Sequence, residues 1–339
     1  MKQFRQIIAG LLFLGTGSVH ACDLCSVYRA SDANGANASG FVFSLAEQFI
    51  PYRTVQFESD EVNPTIRDHL DSSITHFVFG YNFTPRWGLS LNVPLTHLEF
   101  KRSDFRYSAG GPPAFFTEEG SETGLGDVSL IGRATLFQKS EMDYSLQVNL
   151  LTGIKLPTGD SDRLAEEMEQ TRIYNTLIPP NTPHDPLGHS IAAVHPHSIA
   201  LGSGSVDGIF GITVNTRWQS AFLNAQAQYY LRTEGRSGFK YGDELMLSGG
   251  PGVFVWFDKS GSLSLQANII CDQMGRDELD GVTSYRTGST AWYLGPLINM
   301  TLGDRLTANI GIDLPLQIKN GGYQVVPDYR LHGGASWRF

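Results

Sequence analysis

The 339-residue chain carries 34 acidic against 25 basic side chains, a formal net charge of −9, which argues against a nucleic-acid partner. Its 37 glycines, 20 phenylalanines, 13 tyrosines and 5 tryptophans, with charged residues diluted to 17%, suit a large antiparallel β protein better than a helical one. Three cysteines are too few for a disulfide framework.

The chain opens with Lys2 and Arg5, continues with the apolar run Ile7–Leu14 and reaches Val19-His20-Ala21. These are the charged region, apolar region and cleavage site of a secretory leader, so residues 1–21 are expected to be removed on export. The run is too short to cross a bilayer as a helix, and no later segment approaches about 18 consecutive apolar residues. Residues 22–39 then form a predicted periplasmic segment headed by Cys22-Asp23-Leu24-Cys25. Three uses of that pair stand open: a local disulfide, a shared soft metal ion, or redox contact with a periplasmic partner. Haem attachment is excluded, because Ser26 stands where a His is required.

From Gly40 onward the chain alternates with period two over long stretches. Globular strands mostly run about five or six residues, whereas strands crossing a membrane in a barrel need about nine to eleven. Gly40–Ile50 sets Phe41, Phe43, Leu45 and Phe49 on one face, and Ser72–Phe83 opposes Phe77, Phe79, Tyr81 and Phe83 to His76, Val78, Gly80 and Asn82. The pattern continues through Trp87–Phe100, Gly126–Phe137, Met142–Lys155, Asp207–Trp218, Ala221–Arg232, Glu244–Phe257, Ser262–Gly275, Ser289–Leu302, Arg305–Ile318 and Asp328–Phe339, twelve predicted strands in all. The last one puts Tyr329, Leu331, Ala335, Trp337 and Phe339 on its greasy face, and its terminal Phe resembles the closing strand of bacterial outer-membrane barrels.

The connections alternate too. Thr84-Pro85, Gln138–Glu141, Gln219-Ser220, Asp258–Gly261 and Gly303-Asp304 are short, while Pro51–Asp71, Lys101–Leu125, Leu156–Val206, Thr233–Asp243, Arg276–Gly288 and Gln317–Pro327 are long. Short periplasmic turns and long external loops mark an outer-membrane barrel. Within the longest loop, 156–206, Asp160–Ile173 reads as a short acidic helix, either covering the pore or solvated. The same loop holds His184, His189, His195 and His197, a density of imidazoles that can bind a transition metal. His189-Ser190 and His197-Ser198 supply a base and a nucleophile by type. Neighbours on an extended chain point apart, so no catalytic dyad is expected and the protein is read as a non-enzyme.

Three phrases at strand ends stand out: Gly124-Leu125-Gly126-Asp127, Gly153-Ile154-Lys155-Leu156-Pro157-Thr158-Gly159-Asp160 and Leu201-Gly202-Ser203-Gly204-Ser205-Val206-Asp207. With Tyr241-Gly242-Asp243-Glu244 and Gly311-Ile312-Asp313-Leu314-Pro315, their order resembles the outer-membrane transporter family named for the MetA pathway of phenol degradation. That resemblance implies a barrel passing small, often aromatic or apolar molecules, and it brings no catalytic residues. Lys155 and Asp207 either meet across the pore rim or serve as scaffolding at the strand ends.

The expected fold is therefore all-β, a transmembrane antiparallel up-and-down barrel of about twelve strands in the bacterial outer membrane, with residues 40–339 forming the barrel. Its lumen is predicted to be lined by His76, Asn82, Arg133, Gln147, Asn149, Asn224, Gln226, Gln228 and Arg232. The expected function is passive or facilitated diffusion of a small molecule, narrowed by the 156–206 loop, without a cofactor. The alternative is a metal-handling or electron-transfer barrel that uses Cys22, Cys25 and the loop histidines. Lipid, a small-molecule cargo and, at the N-terminus, a periplasmic protein are the expected partners.

Overall fold

The computed structural model describes residues 39–65, 67–108, 111–179, 182–188, 190–303 and 305–339; the predicted leader and nearly all of the 22–39 segment lie outside them. Twelve long strands carry the fold: β1 (Gly40–Phe57), β2 (His69–Thr84), β3 (Trp87–Arg106), β4 (Ser129–Ser140), β5 (Tyr144–Lys155), β6 (Asp207–Trp218), β7 (Ala221–Leu231), β8 (Glu244–Asp258), β9 (Gly261–Met274), β10 (Ser289–Leu302), β11 (Leu306–Asn320) and β12 (Arg330–Arg338). Each pairs antiparallel with its sequence neighbours. Closure comes from β1, which pairs with β2 along Gly40–Tyr52 and with β12 along Val42–Phe49. The expectation that the final strand seals the sheet against the first is met.

The two faces of the wall differ as the alternation demands. Along β9, Leu265, Ala267 and Ile269 face out while Ser264, Gln266 and Asn268 are buried inside. Toward the short turns the outer face ends in large exposed aromatics, among them Phe83, Trp87, Phe137, Trp218 (71% exposed), Phe257 and Trp337. Such a belt suits the boundary between acyl chains and headgroups, where a ring has one greasy and one wet side. No helix among the described residues is long and apolar enough to cross a membrane.

Several elements overrun their predicted ends on the long-loop side. β1 continues to Phe57 and β3 to Arg106, and the predicted loop 101–125 holds a further strand, Ala114–Leu125, paired with the outer half of β3 from Leu95↔Leu125 to Arg106↔Ala114. That strand is wet on both faces, with Thr117, Glu119, Ser121 and Thr123 on one side and Glu118, Gly120 and Glu122 on the other. Alternation vanishes where a hairpin stands clear of the bilayer. A second rim strand, Tyr323–Pro327, pairs with Tyr52–Phe57 of β1, although it precedes β12 in the chain. The β11–β12 ladder stops at Asp313↔Arg330, and between Leu314–Lys319 and this rim strand the wall opens into a cleft of about 550 Å3 bordered by Thr54, Gln56, Gln317 and Lys319.

Gly249-Gly250-Pro251 in β8 is a place where strand phase can slip. The register instead runs through it, with Gly249 opposite Ile269 and Gly252 opposite Gln266, and the irregularity falls at Phe254/Trp256. Gly249 has φ +136°, a conformation L side chains rarely adopt, and a Cβ there would meet the Asn224 carbonyl oxygen. Gly249→Ala is therefore expected to cost about 1–3 kcal/mol of barrel stability, read as a lower midpoint in urea unfolding followed by tryptophan fluorescence.

Candidate functional site: a plugged mouth above an amide-lined chamber

The long-loop mouth is lined by buried charge. Lys155 ends β5 directly across from Asp207, which begins β6, and the two meet at 2.7 Å. The Lys155 ammonium also holds Asp127 at 2.7 Å and touches the Ser203 hydroxyl. Arg232, just past β7, reaches Asp207 at 3.2 Å and Glu244 at 2.6 Å, and its side chain is fully buried. Five charged groups thus satisfy one another across four neighbouring strands and the turn before β4. Across the barrel, Arg330 bonds Asp272 and the Tyr293 hydroxyl, each at 3.1 Å, and lies over the Tyr293 ring. Removing one member of such a set strands its partners in a place water does not reach. Lys155→Met is expected to destabilise the barrel by about 3–5 kcal/mol in urea unfolding, because Asp127 and Asp207 lose their shared cation.

Above this charge the 156–206 loop folds inward. Its helix, α1 (Asp162–Leu177), starts two residues later and ends four later than expected, and turns Leu164, Glu167, Met168 and Thr171 inward at helical spacing. The helix is packed rather than solvated. Its returning leg is buried from Ala192 to Ser205, except at His195, Ser198 and Gly204. Two apolar clusters result. Ala193, Val194, Ile199 and Leu201 join Ile50, Tyr52, Leu98 and Phe100 of the wall, and Leu164, Met168, Leu187 and Ala200 join Phe239, Tyr241 and Met274.

Polar contacts tie the loop to every other long loop or its base. Asp185 accepts from Ser284 Oγ (2.8 Å) and from the backbone N–H groups of Tyr285 and Arg286. Asp104 accepts from Ser190 Oγ at 2.7 Å, Asp68 from the Ala193 N–H at 2.8 Å, and the Ala193 carbonyl from Val325 N–H at 3.0 Å. Tyr241 donates its hydroxyl to the His197 carbonyl at 3.0 Å, and Asp127 accepts from the Ser203 N–H at 2.9 Å. Magnitudes rank these ties. The exposed Arg172–Asp280 pair contributes about 0–1 kcal/mol. Fully burying one Leu, Ile or Met side chain contributes about 1.5–3 kcal/mol, and the plug buries several.

At the centre of the plug Glu167, from α1, meets two histidines of the returning leg. His197 Nδ1 lies 2.9 Å from Oε2 of Glu167 and His195 Nδ1 3.6 Å from Oε1, while the His197 N–H donates to Oε2 at 2.6 Å. The two imidazoles stack with centroids 5.1 Å apart. Burial works to raise the Glu167 carboxyl, but the charge of His197 and bonds from both histidines outweigh it and hold the group well below the usual carboxylate range. Burial works to lower His197, and Glu167 overrides it, leaving the imidazole raised. Beside them the buried Asp277 is pushed up to about 6 by burial.

Among the described residues expected to bind metal, the structure brings together His195 and His197, and adds Glu167, which the sequence pattern did not single out. His184 is exposed, its Nδ1 2.8 Å from the Thr182 carbonyl. Cys22, Cys25 and His189 lie outside the described residues. The helical spacing Leu164–Met168 pointed to a buried face of α1 and so to Glu167 beside it.

Of the residues expected to line the lumen, His76, Asn82, Asn149, Gln228 and Arg232 are buried and Arg133, Gln147, Asn224 and Gln226 half-buried. His76 Nδ1 is 3.1 Å from Asn92 Oδ1, and Arg133 donates to Asn82 at 2.9 Å. Gln147 and Thr135 both donate to Asn149, which donates to Thr213 at 2.9 Å. Gln226 donates to Gln228 at 2.9 Å, Gln228 to the Tyr230 hydroxyl at 2.7 Å, and Asn224 to Gln266 at 3.3 Å. Arg232 belongs instead to the charged mouth. Toward the short turns the wall leaves a polar cavity of about 100 Å3, lined among others by Asn215, Asn224, Gln226, Gln266, Asn268, Asn299, Asn309 and His332.

No family model matches the chain, and no curated protein matches it. Among solved structures it is similar to the COG4313 outer membrane channel from Pseudomonas putida F1, at 12% identity with a TM-score of 0.57, over 91% of this chain and 98% of that one. Weaker likenesses reach the β domain of the Bordetella autotransporter BrkA (11% identity, TM-score 0.41, 89% and 100% covered) and a Pseudomonas aeruginosa FadL homologue (8%, 0.37, 90% and 91%). The fold is that of a bacterial outer-membrane barrel.

Proposed function

We propose that this protein is a channel of the bacterial outer membrane, closed in this conformation by its longest loop, which passes a small hydrogen-bonding solute by diffusion. The observation that carries the reading is the stacking of two layers in one barrel: a mouth filled by the residues from Ala192 to Ser205, and beneath it a chamber lined by amides. A barrel built only as an anchor has no need of an amide-lined cavity. Twelve strands enclose more space than the eight whose lumen side chains fill, and less than the sixteen of an open porin. The similarity in fold to a protein described as an outer membrane channel supports the same direction.

The lining also bears on cargo. Side-chain amides and one imidazole exchange hydrogen bonds with a solute and leave a hydrocarbon uncompensated. The small aromatic molecules implied by the family resemblance fit this chamber where they carry hydroxyl or carboxyl groups. Entry requires the plug to yield. The interrupted ladder between Leu314–Lys319 and the Tyr323–Pro327 strand lets the rim part there without breaking strand hydrogen bonds.

In planar bilayers the intact chain is expected to show small, infrequent conductance steps, and a chain lacking residues 160–197 steady and larger ones. Equal silence from both, with folding verified by heat-modifiable migration, would contradict the channel.

A further inference from the structure

We propose that Glu167, His195 and His197 bind a divalent ion of the zinc class, which ties α1 to the returning leg of the plug. The site goes beyond the channel reading and stands whether or not the barrel conducts. Its donors are one carboxylate and two imidazoles, the borderline set that zinc, copper and nickel take from proteins. All three donor atoms lie within 4.8 Å of one another, with separations of 2.9 Å and 3.6 Å from the carboxylate to the two Nδ1 atoms. Ligands about 2.0–2.2 Å from one tetrahedral zinc stand about 3.3–3.6 Å from each other, so the two carboxylate–imidazole separations already lie close to those of one coordination sphere.

The surroundings are prepared for such an ion. Glu167 is fixed on a helix by burial among Leu164 and Met168, and its carboxylate already accepts the His197 N–H. The His197 ring is held between the stacked rings of His195 and Phe239. A further carboxylate stands by: Asp277 Oδ2 is buried without a hydrogen-bond partner among the described residues, and the group lies within electrostatic reach of both histidines and Glu167. Glu167 and Asp277 together balance a doubly charged cation. A small cavity, about 50 Å3, touches both histidines between Leu187, Ser190, Thr287 and Tyr323 and provides the approach. His195 is only half-buried and is the ligand an arriving ion meets first.

The ion would join segments almost thirty residues apart in the loop and hold the plug shut. On binding, zinc displaces the proton shared between His197 and Glu167, so uptake releases protons to solvent.

The test uses the full chain with Cys22→Ser and Cys25→Ser, refolded in detergent micelles, stripped with chelator and titrated with zinc by calorimetry, with bound metal counted by mass spectrometry. One saturable zinc per chain is expected. His195→Gln, a change at a half-buried position, is expected to weaken binding at least about tenfold, and His184→Gln to leave it unchanged, both with heat-modifiable migration like the parent. Absence of a saturable site in the parent overturns the proposal. So does unchanged affinity in a folded His195→Gln chain.

Discussion

Lipid offers no hydrogen bonds, and this structure depends on that constraint. Every backbone N–H and C=O at membrane depth must find a partner within the sheet, which closure of β1 on β12 accomplishes. Closure in turn fixes the side chains. With the outer face committed to Phe79, Leu91, Ile269 and their like, every polar group that alternates with them points into the barrel. The interior then has two ways to satisfy those groups. Toward the short turns it leaves amides around a small cavity, and toward the long loops it pairs Lys155, Arg232 and Arg330 with carboxylates.

The paired end is where a loop can seat. Asp127 and the Lys155 ammonium both reach Ser203, so the charged ring that satisfies itself also grips the returning leg of the plug. Apolar burial then provides most of the holding energy, because Val194 and Ile199 stay out of water only while they sit against Ile50, Leu98 and Phe100. Buried ion pairs contribute less net stability than they contribute orientation: their attraction is largely spent on desolvation, and what remains selects one arrangement.

The wall was legible in the sequence for a simple reason. Lipid on one side and water on the other impose a period-two pattern that no soluble segment keeps for so long, and all twelve strands, their order and the short turns followed from it. The pattern fades once a hairpin leaves the membrane. Ala114–Leu125 has water on both faces and therefore read as loop, and the outer ends of β1 and β3 were missed likewise. The Gly249-Gly250-Pro251 phrase permits a slip in phase, yet pairing on both sides keeps the register. The plug was half visible. Ile191-Ala-Ala-Val194 and Ile199-Ala-Leu201 are apolar stretches that an exposed loop does not favour, but the histidines and prolines around them break any strand or helix period that would mark them as packed. Glu167 could not be paired with His197 from sequence, since the two lie thirty positions apart in one loop and nothing in the stretch after α1 fixes how the returning leg folds back on it.

The central claim is that the longest loop is a packed part of the barrel interior in the resting protein. Hydrogen exchange of the full chain in lipid nanodiscs, resolved by peptide, tests it most directly. The amides of Ala193, His197 and Ser203, bonded to Asp68, Glu167 and Asp127, are predicted to exchange as slowly as those of the barrel strands, while the exposed Thr182–His184 segment exchanges fast. Exchange across 190–206 as fast as at 182–184 would contradict the account and describe a barrel whose mouth stands open.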